Sequence, residues 1–323
     1  MSGPVPGIAI CTFRRESVHA AIASVAGEAL PGLPPPVIIL ADNDDTPVAR
    51  EAILAQAGAA AGRLVYVHRA GRNISVARNA ALEAAERRGV THLAFIDDDE
   101  TALPGWLAAL WARMAESGAG AVFGPVEAVY GGAAPRWMRA ARPHDTFPAA
   151  GPDGSLQTGY CGNVLMNLAH PALRGLRFEP AFGRTGGEDT AFFAAAARRG
   201  AILAFAPAAR VTEAVPPDRA TLAWLVRRRF RAGRTHAAVM LTGPGASPRL
   251  RAAAAALGKA GACAAASLAL AAVPRRRNAW LIRGALHAGA FSLLVGLPAA
   301  DRPREGEAPA VRPGAAGIME DAG

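Results

Sequence analysis

Four consecutive acidic residues, Asp97-Asp98-Asp99-Glu100, follow an apolar run and are the feature of the sequence that most clearly suggests chemistry. Carboxylates this close together repel one another unless a cation neutralises them. In an extended chain Asp97 and Asp99 lie on the same side, where two carboxylates can bind Mg²⁺ or Mn²⁺ that holds a diphosphate. The other interpretation of this run is a solvated acidic turn that caps the next helix.

The residues before the acidic run alternate between short apolar segments and helical patterns. We predict strands over 7–11, 36–41, 64–67 and 92–96, and helices over 17–29, 47–60 and 75–88. Nearly continuous apolar strands in a βαβαβαβ order indicate a parallel sheet covered on both faces. Ligands of such sheets bind at the carboxyl ends of the strands, which is where the polar clusters of this sequence fall.

The sequence after the acidic run alternates less regularly between strand and helix patterns. We predict a helix over 106–117, a β-like run over 120–130, a helix that Gly186-Gly187-Glu188-Asp189 opens and that runs through Arg199, and a strand over 201–205. The segment 131–159 is rich in proline and glycine and is expected to form a long loop over the site.

Composition excludes several classes of protein. The chain has 323 residues, 51% of them apolar, and a mean hydropathy of +0.17, without one dominant hydrophobic block. These values argue against a polytopic transporter and against a disordered chain. The three cysteines are widely spaced and form neither a disulfide framework nor a zinc motif, which fits a reducing compartment. The N-terminus lacks the pattern of a signal peptide, so we expect a protein that is not secreted.

The charge is concentrated in one part of the chain. Residues 219–300 contain 13 Arg or Lys and no Asp or Glu, so the other residues sum to −4 of the total +9. A strongly basic segment favours a polyanionic partner such as nucleic acid, anionic lipid or a diphosphate. The basic segment lacks interleaved aromatic residues and any RNA-binding motif, so no nucleic acid is expected as a partner.

Two apolar runs, 252–273 and 279–297, lie within the basic segment and are about as long as a bilayer-spanning helix. If both crossed a membrane, the link Pro274–Asn278 with its three arginines would lie outside, against the positive-inside tendency. A helical hairpin that lies in or dips into the inner leaflet keeps these arginines on the cytoplasmic side, next to anionic headgroups. The alternative is a soluble, alanine-rich helix pair packed on the rest of the protein.

Six short motifs lie between Ile10 and Asp189, most of them directly after a predicted strand. They are Ile10-Cys11-Thr12-Phe13-Arg14-Arg15, Ala41-Asp42-Asn43-Asp44, Gly71-Arg72-Asn73-Ile74-Ser75-Val76-Ala77-Arg78-Asn79, Asp97-Asp98-Asp99, Gly159-Tyr160-Cys161-Gly162-Asn163 and Gly187-Glu188-Asp189. In this order they resemble the family 2 glycosyltransferases, particularly bacterial enzymes that build surface polysaccharides. The resemblance extends from Ile8 to about His236.

The resemblance implies the GT-A nucleotide-diphospho-sugar transferase fold, an α/β fold with a mostly parallel Rossmann-like sheet and helices on both faces. It also implies that Thr12, Phe13 and Arg14 line the nucleotide pocket and that Asp42 accepts hydrogen bonds from the base. Arg78 and Asn79 would face the donor. The structural alternatives are that Asp42 caps a turn and that Arg78 is an ordinary surface arginine.

For the acidic motifs, the resemblance implies that Asp99 ligates Mn²⁺ or Mg²⁺, that Asp97 contacts the ribose or the metal shell, and that Asp98 supports the loop. Asp189, paired with Glu188, would be the general base that deprotonates the acceptor hydroxyl, so that transfer inverts the anomeric centre. The alternative for this pair is capping of the helix that it begins.

In processive relatives a Gln-x-x-Arg-Trp motif occupies the place of Val226–Phe230, and here Val226 replaces the glutamine and Phe230 the tryptophan. This departure favours transfer of a single sugar. Arg229 would neutralise the leaving diphosphate, and His236 is a further candidate phosphate or metal contact.

Together these patterns predict a catalytic domain over 1–220, a basic, membrane-associating helical region over 221–300 and a disordered tail over 301–323. The predicted activity is inverting, metal-dependent transfer from a nucleotide-sugar, a UDP-sugar favoured over a GDP-sugar, to a saccharide or lipid-linked acceptor at the cytoplasmic side of the inner membrane. One alternative is an inactive α/β scaffold that acts as a basic membrane- or nucleic-acid-binding module. A nucleotidyltransferase would need a glycine-rich loop after the first strand, and residues 11–16 contain no glycine.

Overall fold

The structure is a computed structural model that describes residues 3–151, 153–241 and 246–298. The predicted tail over 301–323 therefore lies outside the described residues. The strands are β1 (Pro6–Thr12), β2 (Val37–Asp42), β3 (Leu64–His68), β4 (His92–Asp97), β5 (Glu100–Ala102), β6 (Ala121–Phe123), β7 (Val126–Tyr130), β8 (Asn163–Asn167), β9 (Leu203–Phe205) and β10 (Val211–Val215). The helices are α1 (Val18–Val25), α2 (Arg50–Ala55), α3 (Ile74–Arg87), α4 (Trp106–Ser117), α5 (Arg136–Ala141), α6 (Glu188–Arg198), α7 (Leu222–His236), α8 (Ala246–Ala269) and α9 (Pro274–Leu294).

A seven-stranded sheet with the order β3-β2-β1-β4-β8-β6-β9 forms the centre of the fold. Its neighbours pair in parallel except around β8, which runs antiparallel to both β4 and β6. The first four strands follow the predicted bounds closely because their Ile-, Val- and Leu-rich sequences favour a sheet buried on both faces. The predicted α/β class with a mostly parallel sheet is confirmed.

The pairing register brings the polar residues at the strand ends to one edge of this sheet. Thr12 at the end of β1 is opposite Asp42 at the end of β2, and Cys11 is opposite Asp97 at the end of β4. Asp42 is in turn opposite His68 on β3. Residues separated by up to 86 positions in the chain are therefore neighbours at the carboxyl edge of the sheet.

Successive residues of the central strands supply two separate cores. Ile8 and Ile10 of β1 pack with α1 and α4 on one face, while Ala9 and Cys11 pack with α3 and α6 on the other. This alternation follows from the period of two in a β-strand. The sheet is thereby held between two helical layers, which makes its carboxyl edge a rigid platform.

A second, smaller sheet, with the order β5-β10-β7, was not predicted as such. Strand β5 begins only two residues after β4 ends, so the acidic run forms the turn between the two sheets. The prediction of a long loop over 131–159 was wrong in part, because this segment contains α5 and forms bridges from Thr146 to Val126 and from Leu156 to Ala150.

Helices α7, α8 and α9 pack against one another and against the rest of the protein. The predicted link at 274–278 is the first turn of α9, since Pro274 occupies the first helical position, where a missing N–H costs no hydrogen bond. Gly233 of α7 and Gly289 of α9 allow these helices to approach closely. A Cβ atom at Gly289 would lie 2.0 Å from the carbonyl oxygen of Phe230, and one at Gly233 would lie 1.9 Å from that of Leu286.

Among the described residues, one helical segment, Pro248–Ala269 in α8, is long and apolar enough to cross a membrane by length and composition alone. The second predicted run, 279–297, does not meet this criterion, and it contains Arg283 and His287. A hairpin of two spanning helices is therefore not supported.

Gly289→Ala is expected to destabilise the protein by about 1–3 kcal/mol, because the added methyl group meets a helix backbone that cannot move aside. Gly258→Ala is the matched control, since a Cβ atom there meets nothing within 4 Å. The control should stabilise by roughly 0.5–1 kcal/mol through helix propensity. Urea unfolding of both variants measures the difference, and equal free energies of unfolding would contradict the close approach of α7 and α9.

Candidate functional site

A cavity of about 760 Å³ opens at the carboxyl edge of the large sheet. This volume is within the usual range for small-molecule sites. Most of the lining is charged or polar, and the side chains come from β1, the acidic turn, α3 and α7. They include Thr12, Phe13, Arg15, Asn43, Arg72, Arg78, Asp97, Asp98, Asp99, Arg184, Glu213, Arg219, Trp224, Arg228 and Arg231.

The acidic run is a tight turn in which each carboxylate has a different environment. Asp98 is only 7% exposed at its side chain and accepts hydrogen bonds from the Thr12 hydroxyl at 2.8 Å and from Arg15 Nη1 at 2.9 Å. Burial raises the pKa of Asp98 to about 6, although Arg15 opposes this shift. Arg15 also forms an ion pair with Asp99. Asp97 and Asp99 retain more exposure than Asp98 and line the cavity.

The buried side chain of Glu100 stabilises this turn. Its Oε2 accepts a hydrogen bond from the backbone N–H of Asp97 at 2.9 Å, and burial together with the charge of Asp97 raises its pKa well above the usual range. Gly162 permits this position, because a Cβ atom there would lie 2.5 Å from Glu100 Oε1. The sequence analysis missed this role of Glu100, which lies directly after the triplet.

A buried ion pair connects the two acidic motifs. The Arg78 guanidinium pairs with Glu188 at the start of α6 and lies 3.5 Å from Asp97 Oδ1. Both side chains of the Arg78–Glu188 pair are less than one-tenth exposed, and Arg78 Nε and Glu188 Oε2 have no hydrogen-bond partner among the described residues. Glu188 therefore orients Arg78 and does not itself line the cavity.

Asp189 is half-buried on the first turn of α6, and its Oδ1 accepts a hydrogen bond from the backbone N–H of Thr190 at 2.6 Å. Burial raises the pKa of Asp97, and the charges of Asp99 and Asp189 add to this shift while Arg78 opposes it. Asp189 thus lies close enough to the acidic turn to act on it electrostatically, although it is not among the residues that line the cavity.

Phe13 and its two arginine neighbours form a rim of the cavity. Phe13 is exposed, and the guanidinium groups of Arg14 and Arg72 lie 5.2 and 5.9 Å from its ring centroid. Both arginines have positive φ angles, +54° and +46°, which is unusual for residues with a side chain and is concentrated at functional sites. Arg14 pairs with Asp44 and does not line the cavity, whereas Arg15 does.

Two residues predicted to contact the donor have their polar atoms engaged inside the protein. Asp42 is buried and accepts hydrogen bonds from the Tyr66 hydroxyl and from the N–H of Asp44. The side-chain amide of Asn79 exchanges two hydrogen bonds of 2.8 Å with the backbone of Phe178. Asn79 thereby fixes the position of the segment before α6. Asn43, the residue directly after Asp42, lines the cavity.

Helix α7 presents Trp224, Arg228 and Arg231 to the cavity. Spacings of four and seven residues place these three side chains on one helix face, whereas Arg229 falls outside it and does not line the cavity. Trp224 is held by His144, whose ring stacks on it at 5.4 Å, and by the guanidinium groups of Arg219 and Arg228. The sequence analysis named Arg229 of this run, and the helical period could have indicated that Arg228 and Arg231 share the face of Trp224.

His236 also lies away from the cavity lining. Burial lowers its pKa, and the charge of Lys259 on α8 adds to this shift, which places His236 beside the C-terminal helices. Within the ranges that the structure describes, no group of three or more His, Cys, Asp or Glu side chains is arranged to hold a metal ion. Asp97 and Asp99 offer carboxylate oxygens of the kind that Mg²⁺ and Mn²⁺ prefer, so a divalent cation fits here if a ligand supplies further oxygens.

A sequence profile described as "Glycosyl transferase family 2" matches residues 8–178, more than half of the chain. The chain belongs to this glycosyltransferase family. It is also 40% identical, over 290 residues, to the succinoglycan biosynthesis protein ExoM of Rhizobium meliloti strain 1021, with 90% of this chain and 93% of that protein covered. The predicted activity class is thereby confirmed, and the glycosyltransferase is of the surface-polysaccharide type.

A comparison with solved structures supports the assignment of the fold. The crystal structure of GalNAc-T7 with UDP, GalNAc and Mn²⁺ superposes with a TM-score of 0.51 at 13% sequence identity and covers 72% of this chain. The glycosyltransferase spans half the length of that chain. At this identity the likeness concerns the fold alone, and it confirms the GT-A class of the catalytic sheet.

Glu188→Leu is expected to destabilise the glycosyltransferase by about 3–5 kcal/mol, because it removes the buried partner of Arg78 and leaves this guanidinium only the more exposed Asp97, at 3.5 Å. The double variant Arg78→Met with Glu188→Leu removes both charges and should recover most of this loss. Glu86→Leu is the control, since the Glu86–Arg177 pair is exposed and is expected to contribute less than about 1 kcal/mol. Urea unfolding measures all three, and equal costs for Glu188→Leu and Glu86→Leu would refute the role of the buried pair.

Proposed function

We propose that this glycosyltransferase moves one sugar from a nucleotide-diphosphate sugar to a hydroxyl of a saccharide acceptor and inverts the anomeric centre. A UDP-sugar is favoured over a GDP-sugar, in keeping with the fold neighbour that binds UDP. The relative named for succinoglycan biosynthesis supports a place in surface-polysaccharide assembly.

One observation carries the proposal: carboxylates and arginines line a single cavity. Asp97 and Asp99 lie at the end of β4, and Arg228 and Arg231 lie on α7. A nucleoside diphosphate needs both kinds of group, since its phosphates bind guanidinium groups directly and bind carboxylates only through a cation. Carboxylates alone would also be explained by a simple cation, and arginines alone by a simple anion.

Asp99 and Asp97 would hold Mn²⁺ or Mg²⁺ together with the donor's phosphates. When bound, such a cation acts as a Lewis acid that neutralises the charge on the departing diphosphate. Arg15 forms an ion pair with Asp99 and limits the repulsion within the turn, so the carboxylates can remain close together before the donor arrives.

The acceptor hydroxyl would be activated by Asp189. Its carboxylate takes the proton of the hydroxyl while the acceptor oxygen forms a bond to the anomeric carbon on the face opposite the leaving group. The bond between the anomeric carbon and the diphosphate oxygen breaks, and the electron pair stays on the diphosphate. Since attack and departure occur on opposite faces, the configuration at the anomeric carbon inverts.

Arg228 and Arg231, and not Arg229, would stabilise the leaving diphosphate. Charged groups that are already positioned where negative charge develops lower the barrier without reorganisation. Stacking of Trp224 on His144 and its contact with Arg228 hold this helix face in place. The departures from the processive motif at Val226 and Phe230 support transfer of one sugar per acceptor.

We further propose a lipid-linked acceptor and a location at the cytoplasmic side of the inner membrane. The basic segment 219–300, with 13 positive charges and no acidic residue, supports attachment to an anionic surface.

Asp189→Asn should lower the rate of sugar transfer by roughly 10²–10⁴-fold, the usual effect of removing a general base. Donor affinity should change little, because Asp189 is not part of the lining shared by Asp97 and Arg228. Release of nucleoside diphosphate from UDP- and GDP-sugars, with extracted lipid-linked saccharides as acceptor, measures transfer. Asp218→Asn is the control, since Asp218 is exposed and outside the cavity. Full activity of Asp189→Asn would exclude its role as the base.

Arg228→Gln is expected to weaken UDP binding about tenfold or more, as loss of a charge-assisted hydrogen bond implies. The neighbouring variant Arg229→Gln should leave UDP affinity within about threefold, since Arg229 does not line the cavity. Thermal shift with UDP, GDP and uridine, each with Mn²⁺ or Mg²⁺, reports binding through stabilisation of the folded state. The opposite order of the two variants would contradict the assignment, and stabilisation by GDP but not UDP would correct the base.

A further inference from the structure

One side of α8, next to its contact with the rest of the protein, carries an exposed apolar stripe. Leu250, Leu257 and Leu268 are 68%, 53% and 77% exposed, and the residues between them on this side are alanine and glycine. Spacings of 7 and 11 residues place the three leucines on one helical stripe. We call this stripe the outer face of α8. A contiguous apolar stripe of this kind is unusual on a soluble surface and indicates an interaction site.

The adjacent side of α8 is covered by the protein. Ala253, Ala256 and Cys263 are buried, and a Cβ atom at Gly284 of α9 would lie 3.1 Å from Cys263 Cβ. Helix α9 packs in turn on α7 through Gly289 and the backbone of Phe230. The exposure of the outer face therefore follows from the packing of these helices, with α9 between α8 and α7.

A cluster of arginines lies next to the outer face, where α8 ends and α9 begins. Arg275 and Arg276 are exposed in the first turn of α9, and the guanidinium of Arg283 lies 5.5 Å from the ring centroid of the half-buried Trp280. Exposed Val273 and Leu281 lie among these cations. We call residues 273–283 the basic tip. Apolar side chains flanked by arginines and a tryptophan match the interface of an anionic bilayer.

We propose that the outer face of α8 and the basic tip form a membrane-docking surface that lies in the plane of an anionic bilayer and does not cross it. Crossing is disfavoured because α8 is packed along α9, so that a spanning α8 would carry Arg283 and the arginines before it into the membrane. A second copy of the chain is a poorer occupant, since it would place two equally basic tips against each other. Nucleic acid would leave the leucines uncovered.

Docking in this orientation would bring the cavity close to the lipid headgroups. Ile282 of α9 packs with Leu225 of α7 and Met138 of α5, and Leu225 adjoins Trp224, which lines the cavity. Within the basic tip, Arg275 precedes Ile282 by seven residues, about two helical turns or roughly 10 Å along α9. The value of this placement for a lipid-linked acceptor rests on the function proposed above, whereas docking itself does not depend on it.

Co-sedimentation of the full chain with vesicles tests the proposal. Vesicles of phosphatidylcholine with 30% phosphatidylglycerol should bind the protein at least tenfold more tightly than pure phosphatidylcholine vesicles. Leu257→Glu with Leu268→Glu, and separately Arg275→Glu with Arg276→Glu, should each lower this affinity at least tenfold. The matched controls are Ile202→Glu and Arg198→Glu with Arg199→Glu, which alter exposed positions elsewhere and should have little effect.

Three outcomes would overturn the proposal: equal binding to both vesicle types, insensitivity to both pairs of substitutions, or resistance of the bound protein to alkaline carbonate, which indicates a spanning helix. A concentration-dependent dimer without lipid that Leu257→Glu with Leu268→Glu abolishes would assign the surface to a second copy. Thermal shift with UDP and Mn²⁺ serves as a separate readout. Vesicle binding without any nucleotide effect would reject the donor assignment and leave the docking surface standing.

Discussion

The mutual repulsion of four consecutive carboxyl groups at the end of β4 is the constraint on which the site depends. Arginines from two other parts of the chain compensate three of these groups. Arg78 lies beside Asp97, Arg15 pairs with Asp98 and Asp99, and Glu100 has a strongly raised pKa and accepts the N–H of Asp97. Concentrated negative charge can therefore remain at the carboxyl edge of the sheet. The fold places Arg15, which follows β1, and Arg78 of α3 beside the acidic turn, and these two cations stabilise it.

The compensation extends to the start of α6. Arg78 is shared between Asp97 and Glu188, and Glu188 is adjacent to Asp189 on the first turn of α6. A buried charge cannot be left unpaired without a large cost in free energy, so the position of α6 is coupled to that of the acidic turn. In the proposed function, this coupling holds the acceptor base and the donor carboxylates in a fixed relation.

Helix α7 connects the catalytic sheet to the C-terminal helices. The predicted domain boundary at residue 220 therefore separates two parts of the chain that line the same cavity. Its first half carries Trp224, Arg228 and Arg231 on the cavity side, and its second half packs on α9 through Gly233. The positive charge of this segment is accordingly divided between two places. Some arginines line the cavity, and others lie at the basic tip beside the outer face of α8.

The sequence alone determined the parallel strands β1 to β4, the polar residues at their ends and the family to which the chain belongs. These features are local, because an apolar run and the residues directly after it lie within a few positions. The same reasoning missed β5, β8 and β10, which are short and whose place depends on partners far along the chain. It also missed the helix within 131–159.

Only the tertiary structure decided which charges meet. Arg78 and Glu188 are 110 positions apart, and no local pattern pairs them. The rotation of α7 about its axis, set by the close contact of Gly233 with α9, selects Arg228 over Arg229 for the cavity. Asn79 follows Arg78 directly, yet its amide binds the backbone of Phe178. Neighbours in sequence point in different directions on a helix, and packing against distant segments determines which of them reaches the site.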